Sequence, residues 1–190
     1  MEHFVEYTLT SMKEEHLPLV LKWRNSKSIR QCMYTDHVIT LKEHEKWFQK
    51  IKQSDHAMIK LLFYRDHPIG LVHFSQIDRR NKKSYWGFYI GEQNAPKGSG
   101  TALGFLALEC IFEQIGMRKL CSEVLAFNQP SLKFHRKLGF KEEGKFKNHI
   151  ERNGQYIDVY VFALFNDKWL DVKRRWLNGK GEDYERDSHS

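Results

Sequence analysis

Hydrophobic and polar positions change period several times along this chain, and each change predicts an element. Residues 4–9 alternate in the manner of a short strand. Over residues 15–24, Leu17, Val20 and Leu21 fall on one face at helical spacing. Pro18 sits in the first turn of that helix, where a missing N–H does no harm. Thr40-Leu41-Lys42-Glu43 is a capping box, and it opens a second helix running to about Gln53 with Trp47, Phe48 and Ile51 inward. Three strand-like runs follow, at residues 57–64, 69–77 and 83–91. The turn signals Arg65-Asp66-His67-Pro68 and Asp78-Arg79-Arg80-Asn81 separate them, so the pattern predicts an antiparallel meander.

The pattern over residues 99–115 is helical again, with Leu103, Leu106, Ala107, Cys110 and Ile111 on one face. Phe105, Leu108 and Phe112 make it apolar nearly all round, which places it at the centre of the fold. A strand over residues 118–126 completes strand, helix and strand, a crossover whose two strands run parallel and which leaves a ligand site at the switch. After a helix at 129–138 comes a long hairpin turning at Asn153-Gly154, a dipeptide suited to a type I′ turn. Its second strand, 155–165, is nearly all apolar or aromatic and reads as buried. Trp169, Val172 and Trp176 then form one stripe of a short helix, and residues 178–190 read as a polar, disordered tail. The sum is an α/β (α+β) fold with a mixed, mostly antiparallel sheet of about seven strands and flanking helices. We divide the chain into a domain at 1–166, a helix at 167–177 and a tail at 178–190; the helix either caps the core or meets a second copy in a homodimer.

Composition narrows the function. At 190 residues the chain holds one sizeable core and not two. A hydrophobic fraction of 41% and a charged fraction of 29% are those of a soluble globular protein. There is no apolar run of about 18 residues for a bilayer, and no leader pattern at the start, so a cytoplasmic location without membrane partners is expected. Cys32, Cys110 and Cys121 lack CxxC spacing, and the ten histidines form no HExxH pair, so neither a disulfide framework nor a metal site is expected. A net charge of +7 suits a polyanionic partner. Without an RNP motif or zinc finger, nucleic acid is set aside in favour of a nucleotide-linked small molecule.

The chemistry lies in two segments. Lys97-Gly98-Ser99-Gly100-Thr101-Ala102-Leu103 is a glycine turn opening a helix, where bare N–H groups and the helix dipole bind phosphate oxygens. The second is Asn128-Gln129-Pro130-Ser131-Leu132-Lys133-Phe134-His135-Arg136-Lys137-Leu138-Gly139-Phe140. In this order, after a meander and around a crossover strand, residues 83–140 resemble motifs A and B of the GNAT N-acetyltransferases. The resemblance implies that acetyl-CoA is the co-substrate, held at a splay between the fourth and fifth strands. The backbone of Gly98, Ser99, Gly100, Thr101 and Ala102 would hold its pyrophosphate, Tyr89 and Ile90 would line the pantetheine, and Asn128 and Ser131 would touch the far end of that arm. Ala95 stands where motif A usually begins with arginine or glutamine, and Lys97 supplies charge nearby. Direct acetyl transfer to an amine needs a base for the amine and an acid for the leaving thiolate. His135 occupies the motif position where the acid is often tyrosine, and Tyr160 or Tyr156 are alternatives. Glu123 and His73 are the candidate bases.

Further upstream, Leu21-Lys22-Trp23-Arg24-Asn25, Met33-Tyr34 and Leu41-Lys42-Glu43-His44-Glu45-Lys46-Trp47-Phe48, together with Tyr85-Trp86-Gly87-Phe88-Tyr89, resemble one branch of that family, the PseH-type enzymes. These act in pseudaminic acid biosynthesis, a pathway of flagellin glycosylation, and N-acetylate the 4-amino group of a UDP-linked 4-amino-4,6-dideoxy sugar. The resemblance implies that Arg24, His44, Ser75 and Gln76 bind the nucleotide and that Met33, Tyr34 and Tyr85 pack on the deoxysugar. Two rivals stay open at this point: an N-terminal acetyltransferase of the ribosomal-protein type, and a non-catalytic acyl-CoA-binding module.

Overall fold

The computed structural model describes residues 4–177. One seven-stranded sheet runs through it in the order β1-β2-β3-β4-β5-β7-β6. Its strands are β1 (Tyr7–Ser11), β2 (Met58–Tyr64), β3 (His67–Asp78), β4 (Lys83–Ile90), β5 (Lys119–Leu125), β6 (Lys141–Arg152) and β7 (Gln155–Phe165). All neighbouring pairs are antiparallel except β4 and β5. The mixed sheet of seven strands expected from the pattern is therefore present.

Helices cover both faces. On one side pack α1 (Leu17–Asn25), α2 (Lys27–Arg30) and α3 (Leu41–Lys52), with Val20, Trp23 and Phe48 meeting Leu61 and Leu71 of the sheet. On the other lie α4 (Ser99–Glu109), α5 (Gln129–Lys137) and α6 (Asn166–Leu177). There Leu103, Leu108 and Trp169 pack against Val72, Phe74, Trp86 and Phe162. The alternation of β3 explains how one strand serves both layers: Val72 and Phe74 face the second core, while Leu71 faces the first. The capping box at Thr40 is formed, with Glu43 N–H donating to Thr40 Oγ1 at 3.3 Å and Thr40 N–H to Glu43 Oε2 at 2.7 Å.

Three expectations need correction, and one short helix goes unsignalled. The first strand begins at Tyr7, not at residue 4, because its register is set by β2, pairing Tyr7 with Tyr64 and Ser11 with Lys60; Phe4 instead packs on Phe105. The first helix is preceded by a 3-10 turn at Glu14–His16, so its α-helical part starts at Leu17. The short helix α2 had no periodic signal, being only one turn long. The central helix does not stay α-helical to residue 115; it widens into a π turn at Cys110–Gln114, with Ile115 N–H donating to Cys110 O at 3.0 Å. The widening brings Glu113 onto α6, where it accepts from Trp169 Nε1 at 2.9 Å and pairs with Lys173 at 2.7 Å. Thus α6 caps the second core, with Trp169 and Val172 buried. The expected tail at 178–190 lies outside the described residues. No helix among the described residues is long and apolar enough to cross a membrane.

The feature that positions the site is the β4–β5 pair. It holds only three registers, Lys83 to Lys119, Ser84 to Leu120 and Tyr85 to Cys121. Beyond them β4 keeps its partner β3 as far as Ile90, and β5 keeps β7 as far as Leu125. The two strands therefore diverge, and the facing edges of Trp86–Ile90 and Ser122–Leu125 are left without ladder partners from each other. Backbone groups freed in this way need a ligand or water.

Candidate active site

Two clefts meet at this wedge. The first, of about 330 Å³, lies between the diverging ends of β4 and β5 and the first turns of α5, with Tyr85, Glu123, Asn128 and Ser131 in its wall. The second, of about 370 Å³, lies toward α1 and α3, with Arg24, His44, Trp47 and Tyr89 in its wall. Met33, Tyr34, His73, Gly87 and Phe88 line both, so they form the junction. Each volume is in the range that takes a small-molecule ligand. At Gly87 an added Cβ would meet nothing within 4 Å, so this bare strand position keeps the junction open.

Glu123 stands on β5 two residues past the last β4–β5 pair, and its carboxylate accepts a hydrogen bond from the Tyr34 hydroxyl. Burial, with that bond and the carboxylate charge adding to it, pushes the Tyr34 phenol well up. The loop carrying Tyr34 is fixed from the far end of the sheet. Arg152, at the end of β6 and 10% exposed, donates to the carbonyl oxygens of Gln31, Met33 (2.6 Å) and Tyr34 (3.4 Å) and pairs with Asp36 at 3.3 Å. The turn that brings Arg152 there has Asn153 and Gly154 at φ 53° and 78°, the two positive values a type I′ turn requires.

The second cleft holds polar groups without partners. Arg24 Nη2 donates to Thr35 O at 2.6 Å and Thr35 Oγ1 at 2.9 Å, while its buried Nη1 has no hydrogen-bond partner. The buried Nε2 atoms of His44 and His73 are also without partners. His44 is stacked on Trp47 with ring centroids 5.0 Å apart, and burial, with Arg24 nearby, lowers its pKa. Burial holds the His73 imidazole down at about 4, so it is neutral at physiological pH. Buried polar groups of this kind ordinarily have a partner, and three around one cleft mark a place for a polar ligand.

After β4 and a short loop, α4 begins on Gly98, whose φ of 95° is the left-handed conformation that favours glycine. Ser99 is committed to the fold: its hydroxyl donates to Pro96 O at 2.7 Å and meets Tyr7 OH at 3.3 Å. Ala102 is fully buried with its N–H on Gly98 O at 3.0 Å. That leaves the first-turn N–H groups of Gly100 and Thr101 for an anion, with exposed Lys97 beside them. A Cβ at Gly100 would meet nothing within 4 Å, so the space in front of the turn is open. These residues fit the diphosphate of a coenzyme A. Asn128, which caps α5 by accepting from Ser131 N–H at 3.2 Å, and Ser131 lie in the wall of the first cleft. Ile90 closes β4 outside both clefts.

His135 lies where the motif places it, in the wall of the first cleft, but in a state unsuited to an acid. It is 2% exposed among Trp86, Phe88, Phe140 and Phe162, whose ring centroids stand 5.1–5.7 Å away. Its Nδ1 donates to Ser131 O at 2.8 Å, and burial holds its pKa at about 4. In the neutral ring Nε2 then carries a lone pair and no proton, so His135 accepts and does not donate at that atom. The alternatives Tyr156 and Tyr160 lie in the wall of neither cleft. The nucleotide-binding set expected from sequence is also divided: Arg24 and His44 face the second cleft, whereas Ser75 and Gln76 face the first, with Gln76 at a strained φ of 49° in the β3 bulge.

The family model for the acetyltransferase (GNAT) domain matches residues 9–161. The chain belongs to the GNAT acetyltransferase family. It is an N-acetyltransferase with acetyl-CoA as donor. Among curated relatives, the acetyltransferase PseH of Campylobacter jejuni is 29% identical over 74% of this chain and 88% of that protein. The SPbeta prophage-derived uncharacterized N-acetyltransferase YokL of Bacillus subtilis is 25% identical over 65% and 70%. The spermidine N-acetyltransferase from Vibrio cholerae, solved with CoA and spermine, superposes with a TM-score of 0.82 at 21% identity, over 87% of this chain and 98% of that one. Two further wall residues of this GNAT site, and the arginine that holds its Tyr34 loop, carry no local sequence signal. Cys32 and Ser122 look like ordinary small residues, and Arg152 reaches the site across 119 positions of chain.

Proposed function

We propose that this N-acetyltransferase acts on the 4-amino group of a UDP-linked 4-amino-4,6-dideoxy sugar, by direct transfer from acetyl-CoA. The observation that carries this is the second cleft, where the half-buried Arg24 keeps one guanidinium nitrogen free beside the unpartnered His44 and His73. A diphosphate oxygen is a fitting partner for a guanidinium, and the apolar faces of Met33, Tyr34 and Trp47 suit a sugar bearing a 6-methyl group. The 29% identity to PseH, spread over most of both chains, supports the same reading. A polyamine, the substrate class of the Vibrio cholerae protein, fits less well. Its ammonium groups want free carboxylates, whereas the carboxylate in this cleft wall, Glu43, is engaged by Thr40 and His37, Arg24 stands opposite as a cation, and the chain carries a net charge of +7.

In this reading the first turn of α4 holds the coenzyme diphosphate, and the freed edge of β4 offers main-chain groups to the pantetheine arm. Glu123 accepts the amine proton, because acylation requires a nitrogen with a free lone pair. His73, neutral and half-buried, orients the acceptor by hydrogen bonding. UDP alone is the test of the acceptor cleft. It should bind saturably by calorimetry, and Arg24→Ala should weaken it about 10-fold or more, the loss of one charge-assisted hydrogen bond, with acetyl-CoA affinity unchanged. No saturable UDP binding, or equal binding by Arg24→Ala, would contradict the proposal.

A further inference from the structure

With His135 neutral and its Nε2 without a proton, the wedge lacks the proton donor that a leaving thiolate requires. Of the phenols in the cleft walls, Tyr34, Tyr85 and Tyr89, it is Tyr34 that lines both clefts and hydrogen-bonds Glu123. Its hydroxyl therefore sits between the side where an acceptor amine arrives and the side where the thioester lies. The loop is also held for this purpose: Arg152 takes the carbonyls of Met33 and Tyr34 and the Asp36 carboxylate, so Tyr34 is not a loose rim residue although the residue is 46% exposed.

We infer that Tyr34 is a catalytic proton carrier, passing to the thiolate sulfur the proton that Glu123 takes from the amine. This rests on Glu123 acting as the base, as proposed above. The balance is complete without a further reagent. The amine lone pair forms the C–N bond, and the electron pair of the breaking C–S bond stays on sulfur. Glu123 gains the nitrogen proton, Tyr34 gives its hydroxyl proton to sulfur, and the Glu123 proton returns to the phenolate oxygen. Both side chains end as they began. The hydrogen bond between them gives the steps their order. While Glu123 is charged it helps hold the phenol proton in place. Once Glu123 is protonated that hold disappears and the phenol becomes the better donor.

Tyr34→Phe keeps the ring and removes the hydroxyl. With acetyl-CoA and either the UDP-linked 4-amino-4,6-dideoxy sugar or spermidine as acceptor, it should lower kcat by about 100-fold, with KM for both substrates within about threefold. A second reading uses the free protein labelled at tyrosine Cζ. The Tyr34 resonance, assigned as the one missing from Tyr34→Phe, should move in Glu123→Gln, where the anionic acceptor is gone. Turnover of spermidine in place of the sugar nucleotide would void the substrate reading but carry the Tyr34 test on that amine. A kcat within twofold of the parent, a loss confined to acceptor KM, or a Tyr34 resonance unmoved by Glu123→Gln would overturn the relay. Turnover of neither amine would overturn the relay and the substrate reading together.

Discussion

Lowering the pH from 7.5 to 5 should destabilise this protein through histidines that packing holds in their neutral form. His135 and His73 have folded-state pKa values near 4, against an unfolded value of 6.5. A histidine whose folded pKa is depressed binds its proton in the unfolded chain first. Its contribution is intact above pH 6.5 and drains away as pH falls toward 4. Integrating between those two values gives a loss of about 2 kcal/mol per histidine at pH 5, and so about 4 kcal/mol for the pair. The exposed carboxylates whose pKa values are lowered, such as Glu43 and Asp158, do not confuse the reading, since they remain ionised at pH 5. Urea unfolding followed by tryptophan fluorescence at steps of pH measures the slope. His135→Phe suits the aromatic surroundings, and whatever constant offset it brings, it should remove about 2 kcal/mol of the pH-dependent loss at pH 5. A His135→Phe slope equal to that of the parent would refute the claim that His135 is buried and neutral, and would restore it as a candidate acid.

Two glycines on and beside β4 should separate function from folding. Gly87→Leu should leave the melting temperature within about 2 °C, because its Cβ points into open space, but should cut turnover by more than about 10-fold by filling the junction. Gly91→Ala should do the reverse and destabilise the fold by about 1–3 kcal/mol, since a Cβ there would lie 2.1 Å from the Trp23 ring. Arg152→Ala should raise amide exchange over residues 31–36 and lower kcat, and Arg152→Lys should recover part of both; unchanged exchange in that loop would show that Arg152 does not hold it.

Much of the fold is legible in sequence because its signals are local. The capping box at Thr40, the alternation of the meander and the all-round apolar helix at 99–109 each answer to one period or one cap. The Asn153-Gly154 pair likewise fixes its own turn. What escapes is set by tertiary contact: the π turn at Cys110–Gln114 exists where Glu113 meets Trp169 and Lys173, partners more than fifty residues away. The site divides in the same way. Gly98 and Gly100 announce the open turn that starts α4 by residue type, and the place of Glu123 on the crossover strand is what puts it in the wall of the first cleft. His135 misleads, because motif position says nothing about burial, and burial decides whether an imidazole carries a proton. Arg152 is invisible to any local pattern, since its four partners are in a loop 119 or so residues earlier. Tyr34, read from sequence as a packing surface for the sugar, gains its chemistry only from the Glu123 contact.

The most direct test is thiol release from acetyl-CoA by the purified protein, offered in parallel the UDP-linked 4-amino-4,6-dideoxy sugar, spermidine and an N-terminal ribosomal-protein peptide. Release with the sugar nucleotide, lost in Glu123→Gln and in Arg24→Ala at limiting sugar, is the predicted result. Release with spermidine or the peptide and none with the sugar nucleotide would contradict it and assign the second cleft to a different amine.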